Sequence, residues 1–503
     1  TRSSHSRIGA RNTSPTRCFV PKATHRLSSA VQDHDPILRF ERAADRWPDR
    51  PALRVEGRIF TYRELDAWSN AIAERLIARC PDAQRIAFVA EKRASSYAAV
   101  LGILKSGMAY VPLPPDGPQA RWQSMVDLAE VKFTVGDVDL PGLQAIASDE
   151  GVATRSTRSA MGREAYVLFT SGSTGGPKGV SVSRSNVAAY LADQLNAHAF
   201  TEHDRFSQFF ALTFDLSVHD LFVCWSVGGC LCVPSGIDLM RAATFAREEG
   251  ITVWFSVPSL IMLLQRMRAL PANALPAVRM AFFCGEPLTW PVVRAYAAAA
   301  PAAELSNLYG PTEATIAITA FPISRDALQH DGIVPIGTPF KSARVRLVEE
   351  ELQLSGPQLA AGYVGDTAAT DRAFLTDPAT GERWYRTGDQ VRQDADGNLH
   401  FVSRIDDQVK IMGHRVEPSE VDAALSKLRP GCHALTLAKR VGDTVRLFTF
   451  IDTVADHSAL MHELRRTLPA YMLPERIIQV DAMPMTAHGK LDRKALLALI
   501  EHG

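Results

Sequence analysis

The chain has 503 residues and a mass of 55.0 kDa, too long for one hydrophobic core, so roughly two to four domains are expected. Apolar residues make up 46% and charged residues 22% of the sequence, which excludes a disordered or fibrous protein. Because 55 basic and 55 acidic side chains cancel, no overall field draws the chain to nucleic acid or to an anionic membrane, and its function depends on a local site.

Residues 1–36 are predicted to be a disordered basic tail. The first 32 residues carry six basic side chains, no acidic ones and little apolar periodicity. Their composition also resembles an organellar transit peptide, but a clear amphipathic stripe is missing. The tail is therefore left out of the predicted fold.

Residues 37–403 are predicted to form a large N-terminal α/β domain of packed mixed β-sheets with helices. Apolar residues at helical spacing begin at Ile37 and alternate with short strand-like runs at 85–90 and 108–113. This alternation is typical of sheets that are covered by helices.

Two further signals follow along the chain. A strand at 165–170, a Gly/Ser/Thr loop and a helix at 186–199 follow one another in that order. Near 399–402 a strand enters a polar turn, and the pattern changes after it. Residues 404–503 are therefore predicted to be a small, mobile α+β domain.

The seven cysteines are few and odd in number, which argues against a disulfide framework and predicts thiols in a cytoplasmic setting. Cys224, Cys230 and Cys232 lie in an apolar run and are interpreted as buried apolar residues rather than zinc ligands. Charged residues interrupt every stretch of about 18 residues, so no membrane span is predicted.

The stretch TSGSTGGPKG at 170–179 has the composition of a phosphate-binding loop. Backbone N–H groups freed by glycine, hydroxyl groups and one lysine can surround phosphate oxygens. A Walker loop is disfavoured, because Lys178 follows Pro177 and precedes Gly179 instead of Ser or Thr. The candidate phosphate ligands are Thr170, Ser171, Gly172, Ser173, Thr174 and Lys178.

This loop resembles the signature loop of the adenylate-forming superfamily, which includes adenylation domains of nonribosomal peptide synthetases, acyl-CoA synthetases and firefly luciferases. The resemblance extends over residues 37–500. Five further motifs follow in the family's order: FDLS (214–217), NLYGPTE (307–313), YRTGD (385–389), SRIDDQVKIMGHR (403–415) and PMTAHGKLD (484–492). The resemblance implies an enzyme that binds ATP and Mg²⁺.

The resemblance also implies roles for individual residues. Asn307 would contact the adenine amino group, Tyr309 would stack on the base, and Asp389 would accept both ribose hydroxyls. Thr312 would contact the α-phosphate and Glu313 would hold Mg²⁺, a cation that prefers oxygen ligands. Further nucleotide contacts are implied for Gly285, Glu286, Gly310 and Arg404.

Lys490 is implied to be the main catalytic cation, assisted by Thr312 and Glu313. Attack of a carboxylate on the ATP α-phosphorus gathers negative charge on oxygen, and a lysine aimed at that charge stabilises the transition state. Asp406 matches the family's hinge, about which the C-terminal domain would turn between two half-reactions. Ser403 and Met412 depart from the usual glycine and arginine of this motif.

Asp215 matches the aspartate that pairs with the substrate's α-ammonium group in amino-acid-activating members. A buried carboxylate is costly unless it meets a cation. His219 either contacts the substrate or satisfies a hydrogen bond in the core. The bulky members of the pocket predict a small amino acid such as proline or alanine. Besides Asp215, the implied pocket consists of Leu216, His219, Ser256, Phe282, Cys284, Leu308, Ile316 and Ala317.

The predicted function is activation of a small amino acid as aminoacyl-adenylate and its transfer to the phosphopantetheine thiol of a carrier protein. The sequence stops 13 residues after Lys490, so the carrier is expected in trans, and the enzyme is expected to be a monomer. One alternative is a carboxylate:CoA ligase, which has no need of Asp215. Another is a catalytically silent nucleotide-binding protein, against which Lys490, Glu313 and Asp389 argue.

Overall fold

The computed structural model describes residues 33–135, 163–172, 175–234, 239–442, 444–453, 456–485 and 491–500. Most of the predicted tail, residues 1–32, lies outside the described residues. So do Ser173, Thr174 and Lys490.

The folded core begins before residue 37, where the sequence analysis places its start. Helix α1 (Pro36–Arg46) is capped by Asp35, which accepts hydrogen bonds from the N–H groups of Ile37 at 3.0 Å and Leu38 at 3.1 Å. Arg184 Nε donates to the other Asp35 oxygen at 2.8 Å, and both side chains are buried. Asp35 and Pro36 therefore belong to the core rather than to the tail.

One layer of the core is a six-stranded sheet. Its strands are β3 (Arg85–Val89), β4 (Ala109–Leu113), β5 (Thr134–Val135), β6 (Glu164–Thr170), β7 (Lys178–Ser183) and β17 (Gly362–Tyr363). The spatial order is β17-β7-β6-β4-β3-β5. The sequence predicts a helix directly after the loop that follows β6, whereas β7 lies between them and runs antiparallel to β6. Val180 and Val182 alternate with serines in β7, a half-buried strand pattern that is too short to stand out.

A second layer is a nine-stranded sheet. Its strands are β1 (Pro51–Val55), β2 (Arg58–Thr61), β8 (Arg205–Ser207), β9 (Cys230–Cys232), β10 (Val253–Ser256), β11 (Met280–Phe283), β12 (Glu304–Tyr309), β13 (Thr319–Ile323) and β14 (Thr338–Pro339). The order is β14-β13-β12-β11-β10-β8-β9-β1-β2. The strands from β12 through β1 run parallel, and the outer strands at each end are antiparallel.

Helices pack between and around these sheets. They are α2 (Tyr62–Arg79), α3 (Ala94–Lys105), α4 (Gln119–Leu128), α5 (Arg184–Ala197), α6 (Leu216–Ser226), α7 (Ala242–Glu248), α8 (Pro258–Arg266), α9 (Trp290–Ala299) and α10 (Thr367–Ala373). Every residue of α6 is buried, because it is enclosed on all sides by other elements. One apolar cluster includes Tyr110 of β4, Phe222 of α6 and Phe255 of β10, so the two sheets share a core.

A third, antiparallel sheet completes the N-terminal part. It contains β15 (Arg344–Val348), β16 (Glu351–Ser355), β18 (Phe374–Thr376), β19 (Arg383–Gln393) and β20 (Leu399–Arg404). The predicted strand at 399–402 is thus part of β20. Asp389 and Arg404 are paired residues on β19 and β20, which brings two predicted nucleotide contacts together.

The residues after Arg404 form a smaller α+β unit. Its elements are β21 (Val409–Ile411), β22 (His414–Val416), α11 (Pro418–Leu428), β23 (Ala434–Val441), β24 (Thr444–Ile451), α12 (His457–Arg465), β25 (Arg476–Gln479) and α13 (Arg493–Leu499). It has its own apolar cluster, which includes Val416, Leu425 and Leu464. The predicted α/β fold class is confirmed. None of the helices in the described ranges combines the length and apolar composition that a membrane crossing requires.

Candidate active site

The candidate phosphate loop leaves β6 and turns tightly. A Cβ atom on Gly172 would lie 2.3 Å from the Gly176 carbonyl oxygen, so this position requires glycine. Thr170 and Lys178 are cross-strand partners at the base of the loop. The Lys178 ammonium lies 5.5 Å from the centre of the Tyr363 ring. Ser171 Oγ and the Gly172 N–H contact the C-terminal unit, where their acceptors are the Arg415 carbonyl and Glu420.

A second turn follows Tyr309, the last residue of β12, and carries Thr312 and Glu313. A Cβ on Gly310 would lie 2.5 Å from Ala317 Cα, and Ile316 has a left-handed backbone with φ 75°. The backbone segments at Gly310 and at Ala317 therefore pass close to each other. Tertiary contacts hold the strained conformation, since Gln358 Nε2 donates to the Ala317 carbonyl at 2.7 Å.

Asn307 lies on β12 at the base of this turn. It is buried, and its Nδ2 donates to the Pro335 carbonyl at 2.9 Å.

Glu313 is a buried carboxylate surrounded by donors. Tyr363 OH donates to Oε1 at 2.7 Å, and Arg415 Nη1 donates to both oxygens at 3.0 Å. Burial raises the pKa of Glu313, but Arg415 and the hydroxyls of Tyr363 and Tyr385 outweigh burial, so its pKa is lowered. An ionised carboxylate at this turn fits Mg²⁺, which binds through one or two carboxylates together with substrate phosphates.

Asp389 receives two different donors. Tyr309 OH donates to Oδ2 at 2.5 Å and Arg404 Nη1 donates to Oδ1 at 2.8 Å. Arg404 also binds the predicted hinge residue Asp406 in a bidentate manner, at 2.7 and 2.6 Å. The predicted base-stacking, ribose and hinge residues are therefore connected in one hydrogen-bonded chain.

Asp215 precedes α6 and lies next to the turn after β12. Its side chain is 9% exposed, and burial raises its pKa to about 6. A hydrogen bond from Thr312 and the charge of Lys410 lower the pKa, whereas the neighbouring Glu313 raises it. The structure thus brings the predicted ammonium-binding carboxylate close to the predicted phosphate-binding and metal-binding residues.

His219 lies one helical turn beyond Asp215 and is completely buried. Its Nδ1 is hydrogen-bonded to Tyr190 OH at 2.6 Å. This nitrogen therefore makes the hydrogen bond within the core that was one of the two roles expected for His219. Its ring lies 4.7 Å from Phe255 and 5.5 Å from Phe282, between centroids. Burial lowers the pKa of His219 to about 3, so the ring is neutral. The Nε2 atom has no hydrogen-bond partner in the part of the chain that the structure describes.

Ser256 does not join this group, contrary to the sequence prediction. Its Oγ accepts a hydrogen bond from Trp254 Nε1 at 2.8 Å, and Trp254 packs in a separate apolar cluster with Phe283. Because side chains alternate along a strand, Phe255 points to the opposite face, where it meets His219. The strand residue beside the candidate pocket is therefore Phe255, one position earlier than predicted.

The other predicted pocket residues lie in the shared core. Burial and, to a lesser extent, the neighbouring charge of Asp215 raise the pKa of the Cys284 thiol to about 12. The buried members of this core are Leu216, Phe282, Cys284, Leu308, Ile316 and Ala317. A surface cavity of about 610 Å³ lies elsewhere, next to the starts of β4 and β6, and its lining contains none of the predicted site residues.

The C-terminal unit contacts the N-terminal core beside these candidate site residues. The Gly413 N–H donates to Glu286 Oε1 at 2.6 Å, so the two chain segments are directly joined. The His414 ring stacks on Tyr471 at 3.6 Å and meets Phe214 edge-on at 4.5 Å. Gly285, the neighbour of Glu286, has a left-handed backbone with φ 90°.

Several contact residues were missed by the sequence analysis. Lys410 and Arg415 lie inside the motif at 403–415, so their positive charge within that motif could have identified them as candidate contacts. Tyr363, Arg121 and Glu420 carry no comparable signal, because the fold alone brings them to their partners: Arg121 Nη1 and Glu420 Oε1 are 299 residues apart in sequence and 2.5 Å apart in space.

Comparison with known proteins agrees with this geometry. The family model described as "AMP-binding enzyme" matches residues 40–364. One of the subunits of mycosubtilin synthase from Bacillus subtilis is 34% identical over an alignment 498 residues long, which covers 91% of this chain but 19% of that protein's own length.

Two solved structures are also similar. IdnL7 is 31% identical, with a TM-score of 0.67, and the match covers 94% of this chain and 99% of that one. Holo-PA1221, described as an NRPS protein containing adenylation and PCP domains bound to a vinylsulfonamide inhibitor, is 26% identical with a TM-score of 0.81, over 94% of this chain and 86% of that one. This chain therefore belongs to the AMP-binding enzymes of the adenylate-forming superfamily, as its motifs predicted.

Proposed function

We propose that the protein uses ATP to activate the carboxylate of a small amino acid as aminoacyl-adenylate, and then transfers the aminoacyl group to the phosphopantetheine thiol of a carrier protein. The observation that carries this proposal is the proximity of Asp215 to Thr312 and Glu313. An ammonium-binding carboxylate beside phosphate-binding and metal-binding groups suits a substrate that has both an amine and an acid.

The first half-reaction follows from these roles. Asp215 binds the α-ammonium group and thereby holds the substrate carboxylate near the α-phosphorus of ATP. Tyr309 and Asp389 fix the adenosine, and Thr312 with the phosphate loop orients the phosphate chain. Mg²⁺, held by Glu313, supplies positive charge to the phosphates when it is bound. Carboxylate oxygen then bonds to phosphorus while pyrophosphate leaves, and Lys490 stabilises the charge that develops.

The pocket geometry supports a short side chain. The rings of Phe255 and Phe282 lie 4.7 and 5.5 Å from the ring of His219, and Leu308 is buried in the same apolar cluster. Bulky aromatic side chains at this position favour a short substrate side chain. Proline and alanine remain the proposed class of substrate.

The carrier protein is proposed from the relatives. PA1221 is described as containing adenylation and PCP domains, and this chain spans about a fifth of the mycosubtilin synthase polypeptide that it matches. The phosphopantetheine thiol of the carrier would attack the carbonyl carbon of the aminoacyl-adenylate that is bound to this chain, with AMP as the leaving group. A carrier that acts in trans is part of the proposal.

Amino-acid-dependent exchange of labelled pyrophosphate into ATP tests the function. The panel should contain all proteinogenic amino acids and a series of fatty acids, with and without CoA. We expect exchange with small amino acids and none with fatty acids. Exchange that depends on fatty acids would favour a CoA ligase, and no exchange with any acid would refute the proposal.

A further inference from the structure

One stretch of the C-terminal unit covers both the candidate metal carboxylate and the candidate phosphate loop. Arg415 Nη1 donates to both oxygens of Glu313 at 3.0 Å. The Arg415 carbonyl accepts a hydrogen bond from Ser171 Oγ at 2.8 Å. Glu420 Oε2 accepts one from the Gly172 N–H at 3.4 Å. Groups suited to Mg²⁺ and triphosphate are thus already bound to the protein's own chain.

Arg415 and Mg²⁺ cannot share Glu313. Mg²⁺ requires oxygen ligands at about 2.0–2.1 Å in octahedral geometry and keeps several of its waters. The Glu313 side chain is 1% exposed, and Nη1 of Arg415 already donates to both of its oxygens. A second cation at this carboxylate would be repelled by the first.

A similar competition is expected at the phosphate loop, but there the two competing groups are both negatively charged. A phosphate at the Gly172 N–H would meet the carboxylate of Glu420, which is itself buried and paired with Arg121 at 2.5 Å. Two like charges at one donor are unfavourable. The triphosphate and α11, which carries Glu420, therefore exclude each other.

Gly413, Arg415 and Glu420 lie within eight residues of one another in sequence, so their contacts with the N-terminal core are expected to form and break together. Arg415 lies on β22. The turn that precedes β22 contains Gly413, whose N–H donates to Glu286, and α11 begins two residues after β22 ends. Glu313 keeps a separate support, because Tyr363 OH holds it from the N-terminal core at 2.7 Å. When Arg415 leaves, the carboxylate stays in position for a metal.

We propose that Arg415 is a built-in competitor of Mg²⁺ at Glu313, and that Glu420 is the matching competitor of the triphosphate at the phosphate loop. The C-terminal unit docks on the N-terminal core through these contacts while MgATP is absent, and MgATP binding releases it. The inference rests on the proposed function, because it takes Glu313 as the carboxylate that holds the metal.

Calorimetric titration with MgATP, without amino acid, tests the competition on the full chain. Arg415→Ala is expected to bind MgATP roughly tenfold more tightly than wild type, because apparent affinity scales with the fraction of molecules in the competent state. Arg415→Lys keeps a positive charge but replaces the planar guanidinium by a compact ammonium group, and its affinity is expected to be intermediate. Arg446→Ala is the matched control, since Arg446 pairs with Glu475 on the surface of the same unit.

Hydrogen exchange gives a second readout that does not depend on activity. In wild type, MgATP is expected to raise exchange of the Gly413 amide and of the β21–β22 hairpin. ATP with EDTA competes only at the phosphate loop and is expected to raise this exchange less than MgATP does. Equal MgATP affinities for Arg415→Ala and wild type, or unchanged exchange at the hairpin, overturn the inference. If pyrophosphate exchange persists in that case, the proposed function survives. Absence of ATP binding by wild type refutes both.

Discussion

Asp215 is a carboxyl group whose charge is set by its surroundings. Burial raises its pKa to about 6, so it is uncharged below that pH and charged above it. Because only the carboxylate binds an ammonium group, the amino-acid dissociation constant should rise about tenfold for each pH unit below 6. Calorimetric titration with the amino acid between about pH 5 and about pH 8 measures this. A flat profile would contradict the ammonium-binding role.

Phe255 and Ser256 are adjacent residues that point to opposite faces of β10. Phe255→Leu should change the relative exchange rates of different amino acids, because it reshapes the wall beside His219. Ser256→Ala should leave those preferences unchanged and lower the free energy of unfolding by about 1–3 kcal/mol, since Trp254 loses its acceptor. Exchange assays and urea unfolding of the two variants give the comparison. Altered preferences in Ser256→Ala alone would contradict the assignment.

Single residues in motifs were predictable from the sequence, but their neighbours were not. Asp215, Glu313 and Asp389 could be singled out because each lies in a stretch of fixed order, and their roles stay predictions. Ser256 was misplaced by one position, because strand alternation is decided by the register against neighbouring strands. Tyr363 could not be found, since no local pattern links it to Glu313.

At the scale of elements, α1 is anchored to the core by a buried ion pair. Asp35→Ala removes the helix cap and leaves Arg184 buried without its carboxylate, which should lower the free energy of unfolding by about 3–5 kcal/mol. Asp33→Ala is the control, because Asp33 forms an exposed pair with Arg42 at 3.2 Å and should cost at most about 1 kcal/mol. Urea unfolding measures both. Equal losses would show that the buried pair does not anchor the helix.

Elements with long or apolar patterns were predicted well. The strand expected at 165–170 is Glu164–Thr170, and the helix expected at 186–199 is Arg184–Ala197. The strand β7 between them was missed because six residues with alternating valine and serine look like loop. The start of α1 was placed too late, because the pairing of Asp35 with Arg184 spans 149 residues.

At the scale of the whole molecule, different residues are expected to act in the two half-reactions. Lys490→Ala should slow adenylation by about 10²–10³, the usual cost of losing one preorganised charge contact. Transfer to the carrier from preformed aminoacyl-adenylate should remain close to wild type. Single-turnover assays of each step provide the test, and an equal loss in both steps would contradict a division of roles between the half-reactions.

The central claim is that a substrate carboxylate oxygen attacks the α-phosphorus of ATP. An amino acid labelled with ¹⁸O in its carboxylate tests this directly, with the products analysed by mass spectrometry after transfer to the carrier. We predict AMP that carries one labelled oxygen, because the bridging oxygen stays on phosphorus when the thiol displaces it from carbon. Unlabelled AMP, or label in inorganic phosphate with release of ADP, would contradict the claim.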